Sequence, residues 1–329
     1  MVLMVNTAFK KFCDNTVNLL PNQTELARTS RDWLLTNIAK LGTRGLIPAL
    51  YKEKILKYGS FARRTKIRPL DDIDLLLCYK GYGGLYRVVE ENKTYAIYYD
   101  NIQDEPLKSL CDGKVLNSRK VIENLKNQLA CLSGYSKAEF HRNQEAVTLK
   151  MSSYSWNFDI VPCFYTTTGF YLIPNGNGNW KKTDPRVDNN RTLTLNKQKD
   201  GQVLPWIRIM KYWKNLPNNP WNSLSSYVYE QLLLNLAEQM EFDRSIADLV
   251  SAALNLQALA ITKPIMDPKG MQGDLNQLTD EVRLKLKEFS EKHGRIADLA
   301  RLDELFFDNP KDAIINWKTI FGEDFPNFG

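Results

Sequence analysis

Between residues 24 and 42 apolar side chains recur at helical spacing. Leu26, Trp33, Leu34, Ile38 and Leu41 fall near one face, and Gly42 stands where such a helix stops. Residues 6–20 read as a shorter helix, parted from the longer one by Pro21. The period then changes. Residues 50–59 and 72–79 read as strands, and 84–99 as a hairpin turning near Glu91-Asn92-Lys93, its aromatics serving strand packing or a stacking surface. Helical spacing returns over 118–132, with Val121, Ile122, Leu125 and Leu129 on one side. Strands follow at 146–151 and 154–164. Alternation in the latter sets Trp156, Phe158 and Ile160 on one face, and Asn157, Asp159 and Val161 on the other. Residues 171–186, rich in Gly, Asn and Pro, read as loop. Past about residue 187 the pattern is helical, over 203–216, 224–240, 245–260, 279–305 and 310–321. This order predicts an α+β protein with two lobes. A mixed α/β lobe with a long N-terminal helix takes 1–186, and a helical lobe takes 187–329.

Composition narrows the function classes. A chain of 329 residues with 43% hydrophobic and 25% charged residues is long enough for two packed lobes and ordinary for a soluble protein. The net charge of +6 suits an anionic ligand such as a nucleotide and is too small to demand a polynucleotide. Five scattered cysteines with no C-x-x-C spacing predict reduced thiols in the cytoplasm and no zinc site. Two histidines leave no room for a multi-histidine metal centre. The N-terminus lacks a signal peptide's basic start, and no apolar run reaches the ~18 residues of a membrane span. The expected location is the cytoplasm, with no membrane partner.

The chemistry concentrates in residues 57–78. Gly59-Ser60 ends one strand, and Asp72-Ile73-Asp74 opens the next, running straight into Leu75-Leu76-Leu77. Residues i and i+2 of a strand share a face, so Asp72 and Asp74 present two carboxylates side by side. Such a pair repels itself unless a cation or proton intervenes. Mg²⁺ binds proteins in this way, through one or two carboxylates plus substrate phosphates. Gly59 allows close backbone approach, and Ser60 offers a hydroxyl and an N–H to a phosphate oxygen. Asp159, alone in an apolar strand, is costly to bury unless it is paired or binds metal.

The run G-S-F-A-R-R-T-K-I-R-P-L-D-D-I-D-L resembles the polymerase-beta-type nucleotidyltransferases, and within them the bacterial relatives of cyclic GMP–AMP synthase, the cGAS/DncV-like enzymes. The resemblance implies a polymerase-beta-like core, a mixed sheet with flanking helices, joined to a C-terminal helical lobe, with the active site in the cleft. It implies Asp159 as the third metal carboxylate beside Asp72 and Asp74, with two ions, Mg²⁺ or Mn²⁺. It also implies nucleotide contacts by Gly59, Ser60 and Thr65. The segments Ile209-Met-Lys-Tyr-Trp-Lys214 and Leu224-Ser-Ser-Tyr227 occur in the same order in that family. There the lysine reaches the triphosphate and the serine and tyrosine contact phosphate and base, which here are Lys211, Ser226 and Tyr227. By its residues alone, an ammonium flanked by apolar neighbours points to solvent or to an anion. Trp180 and Thr183 either contact nucleotide or anchor the loop by burial. Two features depart from the family: the zinc insertion of animal cyclic GMP–AMP synthases is absent, and Arg64 stands before Thr65 where many relatives have Gly.

The expected activity joins nucleoside triphosphates into a cyclic di- or trinucleotide with release of pyrophosphate. By resemblance, the product is a second messenger of bacterial anti-phage (CBASS) defence. The expected partners are the triphosphates and an accessory activator protein, with no polynucleotide required. The rivals are an RNA 3′-end or linear oligonucleotide synthase and a catalytically idle nucleotide sensor.

Overall fold

In a computed structural model the chain is described over residues 4–90, 94–135, 138–143, 145–151 and 153–329. It divides into two units. One comprises Leu20–Arg63 and Pro69–Asn189; the other comprises the chain up to Leu19, Arg64–Arg68 and Asn190–Gly329. The division departs from a cut near 186 in two places. Helix α1 (Val5–Phe12) belongs to the helical unit, because Phe9 and Phe12 pack among Trp317, Phe321 and Phe325, with Phe9 4.9 Å from the Trp317 ring. Arg64–Arg68 also belongs there. Arg68 donates to the carbonyls of Asp14, Asn15 and Asn18, and Arg208 donates to the Arg64 carbonyl at 2.8 Å. Arg64 itself has φ +63°, the left-handed backbone that a glycine would adopt freely.

In the sheet unit, Pro21 opens rather than precedes helix α2 (Pro21–Thr43), occupying the first turn where its missing N–H costs nothing. The buried stripe of α2 is Ala27, Leu34, Ile38 and Leu41, whereas Leu26 and Trp33 are half exposed. Strand β1 is shorter than expected, Leu56–Tyr58, because Lys52–Lys54 forms a 3-10 turn. The short helix α3 (Gly59–Ala62) follows, and then β2 (Asp72–Tyr79), β3 (Leu85–Glu90) and β4 (Thr94–Tyr98). β3 and β4 pair antiparallel as the expected hairpin, whose turn at 91–93 lies outside the described residues. Helix α4 (Glu105–Ser109), a small ladder of β5 (Cys111–Asp112) with β6 (Val115–Leu116), and helix α5 (Ser118–Ala130) come next. Asn117 caps α5, accepting from Arg119 N at 2.9 Å.

The remaining strands are β7 (Glu139–Asn143), β8 (Ala146–Lys150), β9 (Asn157–Tyr165), β10 (Tyr171–Pro174) and β11 (Trp180–Thr183). Residues 171–186 are therefore not all loop. β10 and β11 pair antiparallel, and the Gly/Asn-rich character belongs only to the turn at 175–179. The order across the sheet is β1-β2-β9-β10-β11-β4-β6-β5, with β8 on β9. The central strands β2 and β9 run parallel in continuous register from Asp72 opposite Asn157 to Tyr79 opposite Phe164. Leu75, Leu76, Leu77, Phe158 and Ile160 are fully buried, as central strands covered on both faces require.

Helix α6 (Pro185–Gln198) leads to the helical unit, built from α7 (Val203–Lys214), α8 (Ser226–Gln239), α9 (Ile246–Ala260), α10 (Asp280–Leu305) and α11 (Pro310–Phe321). Its core is tryptophan-rich. Trp206, Trp213, Trp221 and Trp317 are fully buried. A buried indole N–H usually finds an acceptor, as it does in three of these four, while Trp317 Nε1 is buried without one. Trp206 donates to the Leu249 carbonyl, Trp221 to the Leu286 carbonyl, and Trp213 to His293 Nδ1 at 2.9 Å. Among the described residues, no helix is long and apolar enough to cross a membrane.

Candidate active site

The sheet unit carries the acidic half of the expected site. Asp72 and Asp74 occupy the first turn-ward positions of β2, and the parallel register sets Asp74 directly opposite Asp159 on β9. All three are only partly buried, unlike the apolar residues between and after them. On the other side of β2, Tyr58 stands opposite Asp74 in the antiparallel β1 register. Desolvation pushes the Tyr58 hydroxyl well above the ordinary tyrosine range, and the charges of Asp74 and Asp159 push it further, so it stays protonated beside them. Thr148 on β8 lies opposite Asp159 and donates its hydroxyl to Asp159 Oδ1 at 2.6 Å. One oxygen of Asp159 is thereby oriented.

Gly59 explains how the loop approaches these carboxylates. Its φ is +74°, and a Cβ there would fall 2.5 Å from Asp74 Cγ and 3.0 Å from Asp74 Cβ, overlapping the carboxylate. The Asp74 side chain occupies the space that any larger residue would need. Ser60 follows on α3, partly buried. Among the described residues, no group of three or more His, Cys, Asp or Glu side chains converges closely enough to hold a metal ion by itself. Strand spacing accounts for this, since residues i and i+2 are about 6.6 Å apart. Such a set suits ions whose remaining ligands are phosphate and hydroxyl oxygens of a substrate.

The helical unit carries the basic and aromatic half. Lys211 on α7 is not directed to solvent. Its side chain is 5% exposed, and its ammonium lies 3.3 Å from Glu230 Oε2 on α8, a carboxylate 1% exposed. The same oxygen accepts the Thr65 hydroxyl at 2.8 Å, and Thr65 is fully buried. Glu230 thus ties Lys211 and the 64–68 segment together. The two serines before Tyr227 divide their work. Ser225 is the N-cap of α8, accepting from Val228 N at 3.2 Å, whereas Ser226 is exposed in the first turn. Tyr227 is half-buried, and the ammonium of Lys269 covers its ring at 4.6 Å from the centroid and also bonds its hydroxyl. Lys269 is held by Asp267 at 2.8 Å. Burial of Asp267 opposes its ionisation, but Lys269 and the backbone N–H groups of Lys269 and Met271 outweigh that and keep it below the usual carboxylate range.

Trp180 is a buried anchor, not a surface contact; it is fully buried and its Nε1 donates to the Leu116 carbonyl at 3.1 Å. Thr183, at the end of the same strand, is half-buried. Sequence reasoning missed Thr148, Glu230 and Lys269. Glu230 left a signal, as the one carboxylate in the run Tyr229-Glu-Gln-Leu-Leu-Leu234, where burial demands a partner.

Residues 109–196 match the model of the Second Messenger Oligonucleotide or Dinucleotide Synthetase domain. The chain is 40% identical to a probable cyclic nucleotide synthase of Bacillus cereus (strain VD146), across 99% of each chain. Among solved structures it is similar to CdnC in the Escherichia coli MS115-1 CdnC:HORMA-deltaN complex, with a TM-score of 0.70 and 15% identity over 98% of each chain. It is also similar to Vibrio cholerae DncV, a cyclic AMP-GMP synthase solved with a linear intermediate. There the TM-score is 0.67 and the identity 11%, over 99% of this chain and 97% of that one. These two likenesses show the fold, a nucleotidyltransferase core with a helical lobe.

Proposed function

Because the chain belongs to the cGAS/DncV-like nucleotidyltransferases, the family of cyclic nucleotide synthases, we propose that it condenses nucleoside triphosphates into a cyclic di- or trinucleotide and releases pyrophosphate. The product serves as a second messenger in anti-phage signalling. The observation that carries the reading is the register of β2 and β9, which sets Asp74 opposite Asp159 with Gly59 packed on the Asp74 carboxylate. Asp72, Asp74 and Asp159 are the residues that hold two divalent ions, Mg²⁺ or Mn²⁺. Bound there, such ions supply Lewis-acid activation of the attacking ribose hydroxyl and neutralise the leaving pyrophosphate. Thr148 fixes the orientation of Asp159, and Tyr58, held protonated, leaves the negative charge to the carboxylates.

In the helical unit Lys211 and Ser226 bind the polyphosphate, and Tyr227 stacks on the donor base. Since Lys269 covers one face of the Tyr227 ring, the base takes the other. Thr65 acts through Glu230 by holding the loop, with its hydroxyl committed there. Cyclisation needs two successive substitutions by one set of carboxylates, with the linear intermediate turned between them. The solved complex of DncV with a linear intermediate supports that order. The CdnC:HORMA-deltaN complex supports an accessory protein as activator. No polynucleotide is required.

Incubation of the purified protein with Mg²⁺ and labelled nucleoside triphosphates, followed by phosphatase, tests the reading. A small phosphatase-resistant product is expected. An RNA-dependent ladder would instead make it a tailing enzyme, and no product with or without candidate activators would make it a sensor.

A further inference from the structure

Lys211 and Lys214 lie three residues apart on α7, hence on one face of the helix. Glu230 serves Lys211, taking its ammonium and the Thr65 hydroxyl on the same oxygen. Lys214 is as buried as Lys211, 4% exposed. Its ammonium donates to Asn215 Oδ1 at 3.4 Å, and among the described residues it forms no ion pair. Lysine is almost never fully buried without a partner, because an ammonium gives up more hydration than one long hydrogen bond returns. Lys214 is therefore a buried ammonium that lacks an anion. Elements packed on α7 do not pair an anion with Lys214. The turn at 13–17 brings Cys13 and Asp14, α8 brings Tyr227, Tyr229, Glu230 and Glu238, and α9 brings Asp248. The segment after α11 brings Asp324, which accepts the Tyr212 hydroxyl at 2.6 Å. The 3-10 turn Pro220–Ser223 brings no ionisable group. From α10, His293 meets the adjacent Trp213, and burial keeps its imidazole neutral by lowering its pKa to about 4.

We propose that Lys214 is a second polyphosphate ligand, placing its ammonium beside that of Lys211 on the phosphate chain of the bound nucleotide. The proposal rests on the reading that this face of α7 binds the triphosphate, and it adds a residue that reading does not include. A buried ammonium without an ion pair, one turn from Lys211, presents a charge that a polyanion neutralises. The arrangement has a second consequence. Desolvation, with Lys211 nearby, lowers the Lys214 pKa to about 8, so near that pH the residue is charged only part of the time. A phosphate on the ammonium favours the charged form, and binding then draws a proton from solvent.

The test is calorimetric titration of the full chain with Mg²⁺ and the tightest-binding of the α,β-methylene nucleoside triphosphates at pH 8.5. Two buffers of different ionisation enthalpy report proton uptake. The wild type is expected to take up about three quarters of a proton per nucleotide, given its pKa of about 8. Lys214→Met is expected to bind about tenfold or more weakly with no uptake. Lys214→Arg, always charged, is expected to keep its affinity and lose the uptake, and it serves alone if Lys214→Met does not fold. Wild-type affinity and uptake in Lys214→Met, or uptake retained in Lys214→Arg, would overturn the proposal. Lys211→Met separates the two levels. If it weakens binding while Lys214→Met does not, only the role of Lys214 fails; if neither weakens binding, the polyphosphate reading of this face fails as well.

Discussion

Gly59→Ala is the sharpest perturbation of the acidic half, because two costs act at one residue and can be separated. The first is local. At φ +74° an L side chain costs about 1–2 kcal/mol, which lowers the melting temperature by roughly 2–8 °C for a domain of this size. The second is the overlap with Asp74. A methyl 2.5 Å from Cγ must be relieved by moving the carboxylate about 1 Å to reach ordinary contact, and a misplacement of about 1 Å at a reacting centre costs about 10²-fold in rate. Gly45 provides the control. Its φ is +67°, and a Cβ there meets nothing within 4 Å, so Gly45→Ala carries the backbone cost without the overlap. Both variants are expected to melt a few degrees early. Pyrophosphate release with Mg²⁺ and nucleoside triphosphates should fall at least about a hundredfold in Gly59→Ala and stay within threefold of wild type in Gly45→Ala. Were Gly59→Ala as active as Gly45→Ala, the carboxylate at Asp74 would not be the group whose position sets the rate, and the assignment would be refuted.

Three further outcomes are expected. Asp159→Asn abolishes turnover but keeps most affinity for a non-hydrolysable Mg²⁺–nucleotide, whereas Asp74→Asn damages both; equal loss of binding in the two variants, read by calorimetry, would remove the distinction. Lys211→Met destabilises the fold by up to about 3–5 kcal/mol, since it removes the ammonium paired with the buried carboxylate of Glu230, and adding Glu230→Gln restores much of that loss in denaturant melts without restoring nucleotide affinity. Burial lowers the His293 pKa from 6.5 to about 4, so the folded state favours the neutral ring. Its contribution to stability is complete above pH 6.5 and is lost as pH falls toward 4, and His293→Gln, which still offers Trp213 an acceptor, should flatten denaturation midpoints across that window.

The strands that carry the carboxylates were legible because their signals are local. Alternation alone sets Asp159 on the face opposite Phe158 and Ile160, and the apolar run after Asp74 marks a buried strand. The five long helices after residue 200 were legible for the same reason, their periodic stripes outweighing any end effect. The β10–β11 hairpin was not. Its strands are four residues each, and the Gly and Asn of the intervening turn dominate the composition of the segment. The place of α1 was hidden as well, because Phe9 and Phe12 reveal their partners only through rings at 317–325, far along the chain.

Lys211 has the most to teach about the site. Its residues alone left the ammonium a choice between solvent and an anion, since the sequence shows the cost of burying a lysine and not the group that offsets the cost. Glu230, nineteen residues on, is that group, and it offsets one ammonium while a second, Lys214, lies buried three residues away. In the sheet unit three partly buried carboxylates line two adjacent strands, with a protonated tyrosine and a threonine hydroxyl as neighbours. A core selected for stability alone would not keep Lys214 as it is, because a buried charge without an ion partner is among the costliest features a fold can keep. The carboxylates of β2 and β9 suit a divalent ion and the ammonium of Lys214 suits a phosphate, and the proposed function gives each of them that work.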